Sequence, residues 1–547
     1  MSGVELALGI GGLVVSAIQV YSRVSIVFAK DNGLLYLATK YYIEKVKLEA
    51  WAERVNISEP DSCLLLNHSE MVQKAVLRII AEINATNDHA EKLVQKYRIV
   101  DPVDPLAPNT QKKTFSRSST WVKSARDERY SMKQTSKASW AIKDKDELSS
   151  VVQKLGQLNR DLQDLVRLEE IDVVRIVTGV ISGLESKSLD ALRKGQDDQD
   201  QSGLLSLSAK LKEVMAEDDT ARSRKVKLLN GRFHRSATIA GDGMNDREIG
   251  CYDEDNAEPI NVWVEWKSIV KDHPKKDELV VRIEALNVLL TTSNSPHYLQ
   301  PTCLGLLHDT AYEEKTQGTK RLGFIHELHT KDPQQEIITL QYMLSAAQPT
   351  HYMPPLDERF ELARKLASAL SLLHAADWIH KSLRSDNVVF ISTPGKGAKE
   401  PPHNIANPQI AGFQYTRQAG SDSIETRALG NARVEMYYHP DVVNGWTKAN
   451  EIYSLGIILL EIATWRTVFD KKFTTMDPKS ISDTIQKRLN RSWGEQIKGL
   501  VGKVYFNVVK ECLTGFRGEY EGTPASAELL SKLFFRRVVK PLYSCRS

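Results

Sequence analysis

The sequence predicts a multidomain protein in which an all-α helical bundle is followed by an α+β domain, one that combines strands with helices. At 547 residues and 61.6 kDa the chain is too long for one hydrophobic core, so about two to four domains are expected. Apolar residues recur at helical spacing as far as about residue 190. A polar stretch at 194–203 is then followed by a β-type run at 261–266 and by further helical patterns.

Composition and charge point to an ordinary globular protein. The chain has 41% hydrophobic and 26% charged residues, and its formal net charge of +3 indicates no particular partner, so no nucleic-acid partner is expected. The cysteines are odd in number, widely scattered and without metal-ligand spacing, which favours reduced thiols in a cytoplasmic protein, with neither a metal site nor a disulfide. They are Cys63, Cys251, Cys303, Cys512 and Cys545.

The segment 6–22 carries no charged residue across about 17 positions. As an α-helix it would extend roughly 25 Å, slightly short of the hydrocarbon core of a bilayer. Glu5 precedes it, and neither a basic stretch nor a small-residue cleavage site indicates a signal peptide. Two interpretations stay open: a core helix, or a helix that is buried in one state and inserted in a membrane in another. The candidate membrane-helix residues are Leu6, Leu8, Ile10, Leu13, Val14 and Ile18.

Three apolar stripes with helical spacing predict a bundle of long helices. Glu44 interrupts the first stripe. The third alternates steps of three and four residues, as the seam of a bundle does. The stripes are Leu37, Tyr41, Leu48, Trp51 and Val55; Val72, Val76, Ile79, Ile80 and Ile83; and Leu148, Val151, Leu155, Leu158, Leu162 and Leu165.

Between the second and third stripes the sequence predicts a loop and a basic surface. Residues 101–111 contain three prolines, which favour a loop. Residues 112–137 carry eight Lys and Arg against Asp127 and Glu128. Such a run is typical of a solvated surface, and it also suits anionic lipid headgroups. The second interpretation matters only if the first helix meets a membrane.

The segment 140–148 reads WAIKDKDEL and leads into Leu158, Asn159 and Leu162. With the apolar, glycine-containing first helix and the bundle pattern, it makes residues 1–190 resemble the fungal HeLo domain, a prion-inhibition and propagation module. The resemblance implies a helical cell-death module of heterokaryon-incompatibility proteins, which targets and permeabilises membranes through its first helix. It further implies a cytoplasmic protein that relocates to anionic membrane lipids and forms a homo-oligomer on activation.

A change of composition separates the two regions. Residues 194–203 read KGQDDQDQSG, a polar stretch that favours a flexible boundary. Residues 204–217 resume an apolar helical pattern and are predicted to form a brace between the domains. The predicted organisation is a HeLo-like bundle at 1–190, a linker and brace at 191–225, and an α+β domain at 226–540.

Residues 380–387 read HKSLRSDN and resemble the catalytic loop of protein kinases, whose pattern is HRDLKPEN. Asn387 matches the asparagine that is a magnesium ligand in a working kinase. Ser382 stands where the catalytic aspartate should be. A serine hydroxyl has no charge and a very high pKa, so it can neither orient the acceptor hydroxyl nor take its proton.

Residues 409–417 read QIAGFQYTR and resemble the kinase pattern KLADFGLAR. The alignment puts Gly412 at the magnesium-binding aspartate and Gln414 at the glycine, and only Phe413 of the central triplet is kept. A glycine has no carboxylate to hold a cation that needs hard oxygen ligands. The resemblance therefore implies no intact catalytic residue and no metal site.

The β-type run NVWVEW at 261–266 ends at Lys267, where a kinase has the phosphate-pairing lysine of VAIK. Lys267 and Asn387 are therefore the candidate nucleotide-binding residues. Arg282 falls where a kinase has the helix glutamate that pairs with that lysine, and Glu278 lies one turn earlier as a substitute. Residues 241–246 keep only two glycines of the G-x-G-x-x-G pattern, too weak a match to predict a phosphate-cradling loop. ATP binding stays open, and no cofactor is required.

Scaffold positions of the kinase pattern are kept. Residues 437–441 read YYHPD, like the end of an activation segment, and 451–456 read EIYSLG, like the start of the buried helix of the second lobe. The resemblance over about 225–540 implies an α+β bilobal protein-kinase-like fold without the catalytic base or the metal aspartate, which is a pseudokinase. A leucine stripe approaches the catalytic loop through Leu362, Leu366, Leu370 and Leu373.

The order of bundle, brace and pseudokinase is similar to that of the mixed-lineage-kinase-like necroptosis effector. It leads to the hypothesis of a signalling-controlled cell-death or incompatibility effector, in which the pseudokinase regulates a membrane-targeting bundle. Ser421, Ser423 and Thr426 lie in the predicted activation segment and are the candidate switch residues, for an upstream kinase or receptor that the sequence does not identify.

Two alternatives from other classes remain. The second domain could be an atypical active protein kinase that binds ATP through Lys267 and Asn387 and uses a relocated carboxylate such as Asp386. The chain could also be a soluble scaffold whose bundle binds a partner helix. Phosphotransfer would distinguish the first alternative from a pseudokinase, and vesicle leakage would distinguish the second from a membrane effector.

Overall fold

The computed structural model divides the chain into two compact units. One comprises Met1–Gln201 with Gly522–Leu529, and the other comprises Ser202–Glu521 with Leu530–Ser547. The division falls within the polar stretch 194–203. The residues that the structure describes are 3–28, 34–59, 62–96, 145–167, 169–185, 187–190, 203–238, 247–254, 258–328, 336–345, 353–392, 404–413, 431–516 and 524–546.

Long helices form the first unit, as the apolar stripes predicted. They are α1 (Gly3–Phe28), α2 (Leu35–Arg54), α3 (Glu70–Lys96), α4 (Lys145–Leu165) and α5 (Glu170–Gly183). Helices α1 and α4 each pack against α2 and α3, and α5 packs against α2. The predicted helical bundle is therefore confirmed.

The predicted stripes supply the core of this bundle. Every residue of the first stripe is buried, because α2 lies between its neighbours with that face inward. The stripes of α3 and α4 contribute their central positions, and the remaining members are half-buried around them. The buried members of these two stripes are Val76, Ile80, Ile83, Leu148, Val151, Leu155 and Leu162.

Glu44, which interrupts the first stripe, is a polar core position rather than a break in the helix. It is 3% exposed, and its carboxylate accepts a hydrogen bond from Nδ2 of Asn159 in α4 at 2.8 Å. Nζ of Lys47 lies 2.8 Å from the same carboxylate. A buried carboxylate is costly without partners, and these two contacts meet that cost inside the bundle.

The second unit mixes strands with helices. Its strands are β1 (Leu228–Leu229), β2 (Arg232–Thr238), β3 (Arg247–Asp253), β4 (Ile260–Ile269), β5 (Cys303–His308), β6 (Lys320–Glu327), β7 (Glu336–Thr339), β8 (Val388–Ser392) and β9 (Gln409–Ile410). The helices that follow α5 in the chain are α6 (Leu204–Ala216), α7 (Asp219–Ser223), α8 (Lys276–Thr292), α9 (Thr310–Lys315), α10 (Leu340–Leu344), α11 (Leu356–Ala375), α12 (Ala432–Glu435), α13 (Lys448–Thr464), α14 (Pro478–Leu489), α15 (Ser492–Thr514), α16 (Pro524–Phe534) and α17 (Lys540–Ser544).

A six-stranded sheet forms the first lobe of this unit. Its order is β1-β5-β6-β4-β3-β2, with β1 and β5 parallel and the other neighbours antiparallel. The β-type run at 261–266 lies in β4, which pairs on both sides and is largely buried. Helix α8 packs against β4 and β5.

The second lobe is mainly helical, with a small antiparallel sheet of order β7-β8-β9. The leucine stripe of α11 is fully buried against α13, whose own residues are buried almost throughout. A sheet-rich lobe followed by a helical lobe is the bilobal α+β kinase-like fold that the sequence predicted, and the prediction is confirmed.

Helix α6 occupies the segment predicted to be the brace, and it belongs to the second unit. Its apolar side packs against α8 of the first lobe and α11 of the second. Leu204, Ala209, Leu211 and Met215 are at most 1% exposed. Helix α6 therefore contacts both lobes, and its role as a brace between the domains stays a prediction.

Candidate functional site

The backbone of the catalytic-loop segment is held by Glu451 of α13. One carboxylate oxygen accepts a hydrogen bond from the N–H of Lys381 at 2.8 Å, and the other lies 2.8 Å from Nε2 of His374. Glu451 is fully buried, and His374 belongs to the last turn of α11. The two main helices of the second lobe therefore fix the loop where a kinase has its catalytic residues.

His380 and Phe413 pack against each other behind the loop, with ring centroids 4.1 Å apart. Burial lowers the pKa of His380 to about 4, so the imidazole is neutral near pH 7. Its Nε2–H donates to the carbonyl of Ala411 at 2.9 Å, and its Nδ1 accepts the N–H of Ser382 at 3.1 Å. The residues kept from the kinase pattern thus serve packing and hydrogen bonding.

Ser382, predicted to stand at the position of the catalytic base, is 1% exposed. Its carbonyl oxygen and its Oγ accept hydrogen bonds from Nδ2 of Asn387 at 2.7 and 3.1 Å. A buried aliphatic hydroxyl has neither the charge nor the pKa of a general base. The nearby carboxylate of Asp386 is held by two contacts with Arg384, at 2.8 and 3.0 Å.

Arg247, the first residue of β3, lies beside Asn387. Its Nη2 donates to Oδ1 of Asn387 at 2.7 Å, and its Nη1 donates to the carbonyl oxygen of Asp386 at 3.0 Å. The Arg247 side chain is fully buried. It comes from the sheet of the first lobe, and both acceptors belong to the loop of the second lobe. These two bonds therefore join the lobes across the cleft.

Gly412 lies against the same asparagine. Its φ of +73° is in the left-handed region that favours glycine, and a Cβ at this position would lie 2.3 Å from Oδ1 of Asn387. Its N–H donates to Oε2 of Glu265 at 2.9 Å. Position 412 therefore has no room for an aspartate side chain.

Glu265 of β4 is the buried carboxylate of the cleft. It lies two residues before Lys267 and hence on the same face of the strand, and Nζ of Lys267 is 3.0 Å from its Oε1. Burial raises the pKa of Glu265, but the charges of Lys267 and Arg247 outweigh it and hold that pKa well below its usual range. Lys267 is thus paired with its own strand, and its nucleotide-binding role stays a prediction.

Arg282, predicted to stand at the position of the helix glutamate, is 5% exposed in α8. Its guanidinium is hydrogen-bonded to Glu278 and lies 3.9 Å from Asp219 of α7. Glu278, which the sequence offered as a substitute partner for Lys267, is thus bonded to Arg282 instead. This part of the kinase pattern connects α8 with α7.

Arg247 and Glu265 are the residues that sequence reasoning missed. The period of two along β4 could have placed Glu265 beside Lys267. No comparable signal existed for Arg247, because its partner Asn387 is 140 positions away in the sequence.

Several predicted features lie outside the described residues. They are Gln414, the candidate switch residues Ser421, Ser423 and Thr426, the weak glycine pattern at 241–246, the basic run at 112–137 and most of the polar linker.

The first helix is long and apolar enough to cross a membrane over Ala7–Ser25, and 39% of that window is buried. Length and composition give the same result for a core helix. Ile10 and Val14 are buried in the bundle, and Leu13 and Ile18 pack against its core. Leu8 is 56% exposed, and the Leu6 side chain lies outside the described residues.

A kinase-like fold implies magnesium and a nucleotide in this cleft, and the residues present do not fit the metal. Oδ1 of Asn387, the expected ligand atom, already accepts a hydrogen bond from Arg247. Gly412 supplies no carboxylate. Within the part of the chain that the structure describes, no group of three or more His, Cys, Asp or Glu side chains could hold a metal ion.

These two units define a class of protein: a helical bundle joined to a kinase-like domain whose catalytic-loop segment is fixed by a buried carboxylate. Residues 5–194 match the HeLo family, described as prion-inhibition and propagation. Residues 305–544 match a domain of unknown function, DUF7580. The chain therefore carries a HeLo domain at its N-terminus, as the resemblance predicted.

The C-terminal region is similar to protein kinases. Dual specificity protein kinase lkh1 of Schizosaccharomyces pombe is 24% identical over 286 residues, 48% of this chain and 36% of that protein. Calmodulin-binding receptor-like cytoplasmic kinase 1 of Arabidopsis thaliana is 22% identical over 243 residues, 39% of this chain and 47% of that protein. A probable serine/threonine-protein kinase of Dictyostelium discoideum is 22% identical over 160 residues, 29% of this chain and 8% of that protein. The chain thus spans less than half of each relative, and the predicted fusion of a HeLo domain with a kinase-like domain is confirmed.

Proposed function

We propose that this protein is a signalling-controlled cell-death or incompatibility effector, in which a pseudokinase regulates a membrane-targeting HeLo domain. The observation that carries the proposal is a selective replacement within the unit fused to the HeLo domain. That unit keeps the buried Glu451 that fixes its loop, but Ser382 and Gly412 stand at the two catalytic positions. Such a unit suits regulation better than phosphate transfer.

The chemistry of the cleft supports a loss of phosphotransfer. A positioned general base contributes on the order of 10²- to 10⁴-fold, and magnesium neutralises the charge that develops on the transferred group. Ser382 replaces the base, and Gly412 replaces a ligand of the metal. Asp386, the relocated carboxylate of the active-kinase alternative, is paired with Arg384.

Helix α6 supplies a route from the pseudokinase to the HeLo domain. It contacts both lobes and directly follows the linker that leaves the bundle. The buried hydroxyl of Tyr298 donates to Oγ of Ser208 at 2.7 Å, and Nζ of Lys212 lies 3.7 Å from Asp377. A change in the relative position of the lobes would alter these contacts of α6. Because α6 follows the linker in the chain, it would also change how firmly the end of the linker is fixed.

The burial of helix α1 supports the proposal that the protein has two states. Its buried residues Ile10 and Val14 belong to the bundle core, so insertion into a membrane would require α1 to leave that core. A ligand or a phosphorylation can favour release only through a difference in its affinity for the two states. The switch residues Ser421, Ser423 and Thr426 stay predictions within this proposal.

Vesicle leakage by the full-length protein tests both membrane activity and its control. A site-specific protease sequence placed in the linker at 194–203 allows the bundle to be separated from the kinase-like unit after folding. We expect little dye release from phosphatidylcholine–phosphatidylserine vesicles before cleavage and rapid release after it. The protease acting on protein without the inserted sequence is the matched control.

The alternatives predict other outcomes. No release after cleavage, from anionic or neutral vesicles, would contradict membrane attack and favour the soluble scaffold. Magnesium-dependent phosphotransfer by the purified chain, lost in Lys267→Met, would contradict the pseudokinase and favour the atypical kinase.

A further inference from the structure

Three oxygen-bearing groups of the cleft converge on one guanidinium. Arg247 donates hydrogen bonds to the side chain of Asn387 and to the carbonyl of Asp386, and its Nε lies 3.5 Å from the carboxylate of Glu265. All four residues are at most 5% exposed. A positive charge is therefore held beside the asparagine oxygen that would bind a divalent cation in a working kinase.

Each charged group of this cluster has an oppositely charged partner without a ligand. Hydrogen bonds from a guanidinium are charge-assisted and stronger than those between neutral groups. Glu265 is neutralised by Arg247 on one side and by Lys267 on the other. A magnesium ion would have to displace Arg247 from Asn387, and the nucleotide phosphates would meet an ionised Glu265. The first step would leave the buried guanidinium of Arg247 with fewer partners, and the second would bring like charges together, so both are costly.

We infer that Arg247 is a built-in substitute for the metal–nucleotide complex, and that it keeps the two lobes closed with no nucleotide bound. Asn387 then serves as the acceptor of this interlobe contact instead of a metal ligand. The inference rests on the proposed pseudokinase role, and it adds that the activating signal does not enter through the nucleotide cleft.

Thermal unfolding of the wild-type full-length protein tests the cleft directly. The melting temperature is measured alone, with ATP and magnesium, with ATP and manganese, and with ATP and EDTA. We expect the same melting temperature in all four. A saturable rise with ATP in any of them would overturn the inference.

Hydrogen exchange tests the contact between the lobes. In Arg247→Met we expect faster exchange in peptides covering 380–391 and 247–253, with unchanged exchange in α15. The control is Arg232→Met, which changes an exposed arginine on the neighbouring strand β2 and should leave all three regions unchanged. Unchanged exchange at 380–391 in Arg247→Met would also overturn the inference.

Two further results separate this inference from the proposed function. If Arg247→Met does not fold, Arg247→Lys takes its place, because it keeps the charge and loses the fork of two donors. Exchange at 380–391 should then be faster than in the wild-type protein. ATP binding without phosphate transfer would overturn the role of Arg247 and leave the pseudokinase standing. Phosphate transfer would overturn both.

Discussion

Two separate constraints select glycine at position 412. Its φ of +73° costs other residues roughly 1 kcal/mol or more, and a Cβ there would lie 2.3 Å from Oδ1 of Asn387. That amide cannot move freely, because it is bonded to Arg247 on one side and to Ser382 on the other. Restoring the kinase aspartate would therefore disturb the contact between the lobes.

We expect Gly412→Asp to lower the free energy of unfolding by about 3 kcal/mol or more, since it combines backbone strain with the loss of buried hydrogen bonds. Adding Ser382→Asp should restore no phosphotransfer. Gly515→Asp is the matched control, because Gly515 has a similar φ of +63° with no atom within 4 Å of an added Cβ. Urea unfolding should show a loss of about 1 kcal/mol there. Equal losses in the two variants would contradict the proposed crowding at Asn387.

The same residues show what a sequence can predict of a site. Ser382 and Gly412 were identifiable because each departs from a local pattern whose other members are kept. Arg247 was not, because its function depends on a strand and a loop that are distant in sequence and meet only in the fold. Lys267 was predicted as a site residue because it stands at the end of a β-type run. The residue of that strand that contacts Gly412 is Glu265.

Among the elements, those with strict apolar periodicity were predictable. Helices α2, α3 and α4 follow stripes whose spacing alone fixes both the helix and its buried face. The two-residue strands β1 and β9 were not predictable, because such strands exist only through pairing with strands elsewhere in the chain.

Helix α6 is held by burial more than by charge. Leu211 is fully buried, whereas the ion pair of Lys212 spans 3.7 Å to an Asp377 whose side chain is 43% exposed. We expect Leu211→Ala to cost about 2–5 kcal/mol and to raise vesicle leakage by the uncleaved protein, because the brace is loosened. Lys212→Ala should cost less than about 1 kcal/mol and leave leakage unchanged. Chemical denaturation and dye release measure the two effects. If Lys212→Ala raised leakage and Leu211→Ala did not, the ion pair rather than burial would control the brace.

In the whole molecule, the proposed function places α1 in two environments, the bundle core and the membrane. Its inward face supplies Ile10 to the bundle core, and its outward face presents Leu8, which is 56% exposed. A single substitution on the outward face can therefore test membrane insertion without disturbing the packing of the bundle core. The fold depends on the inward face, and the proposed membrane insertion depends on both.

We expect Leu8→Glu to leave the free energy of unfolding within about 0.5 kcal/mol, because an exposed side chain has no core contact to lose. The same substitution should reduce leakage by the cleaved protein, since a carboxylate costs roughly 2.5–3.5 kcal/mol at the centre of a membrane helix and less towards its end, where Leu8 lies. Ile10→Glu should lose the fold instead, because it buries an unpaired charge. Met71→Glu is the control for added negative charge, as Met71 is 81% exposed on α3, and it should keep both stability and leakage. Undiminished leakage in Leu8→Glu would show that another surface of the bundle acts on the membrane.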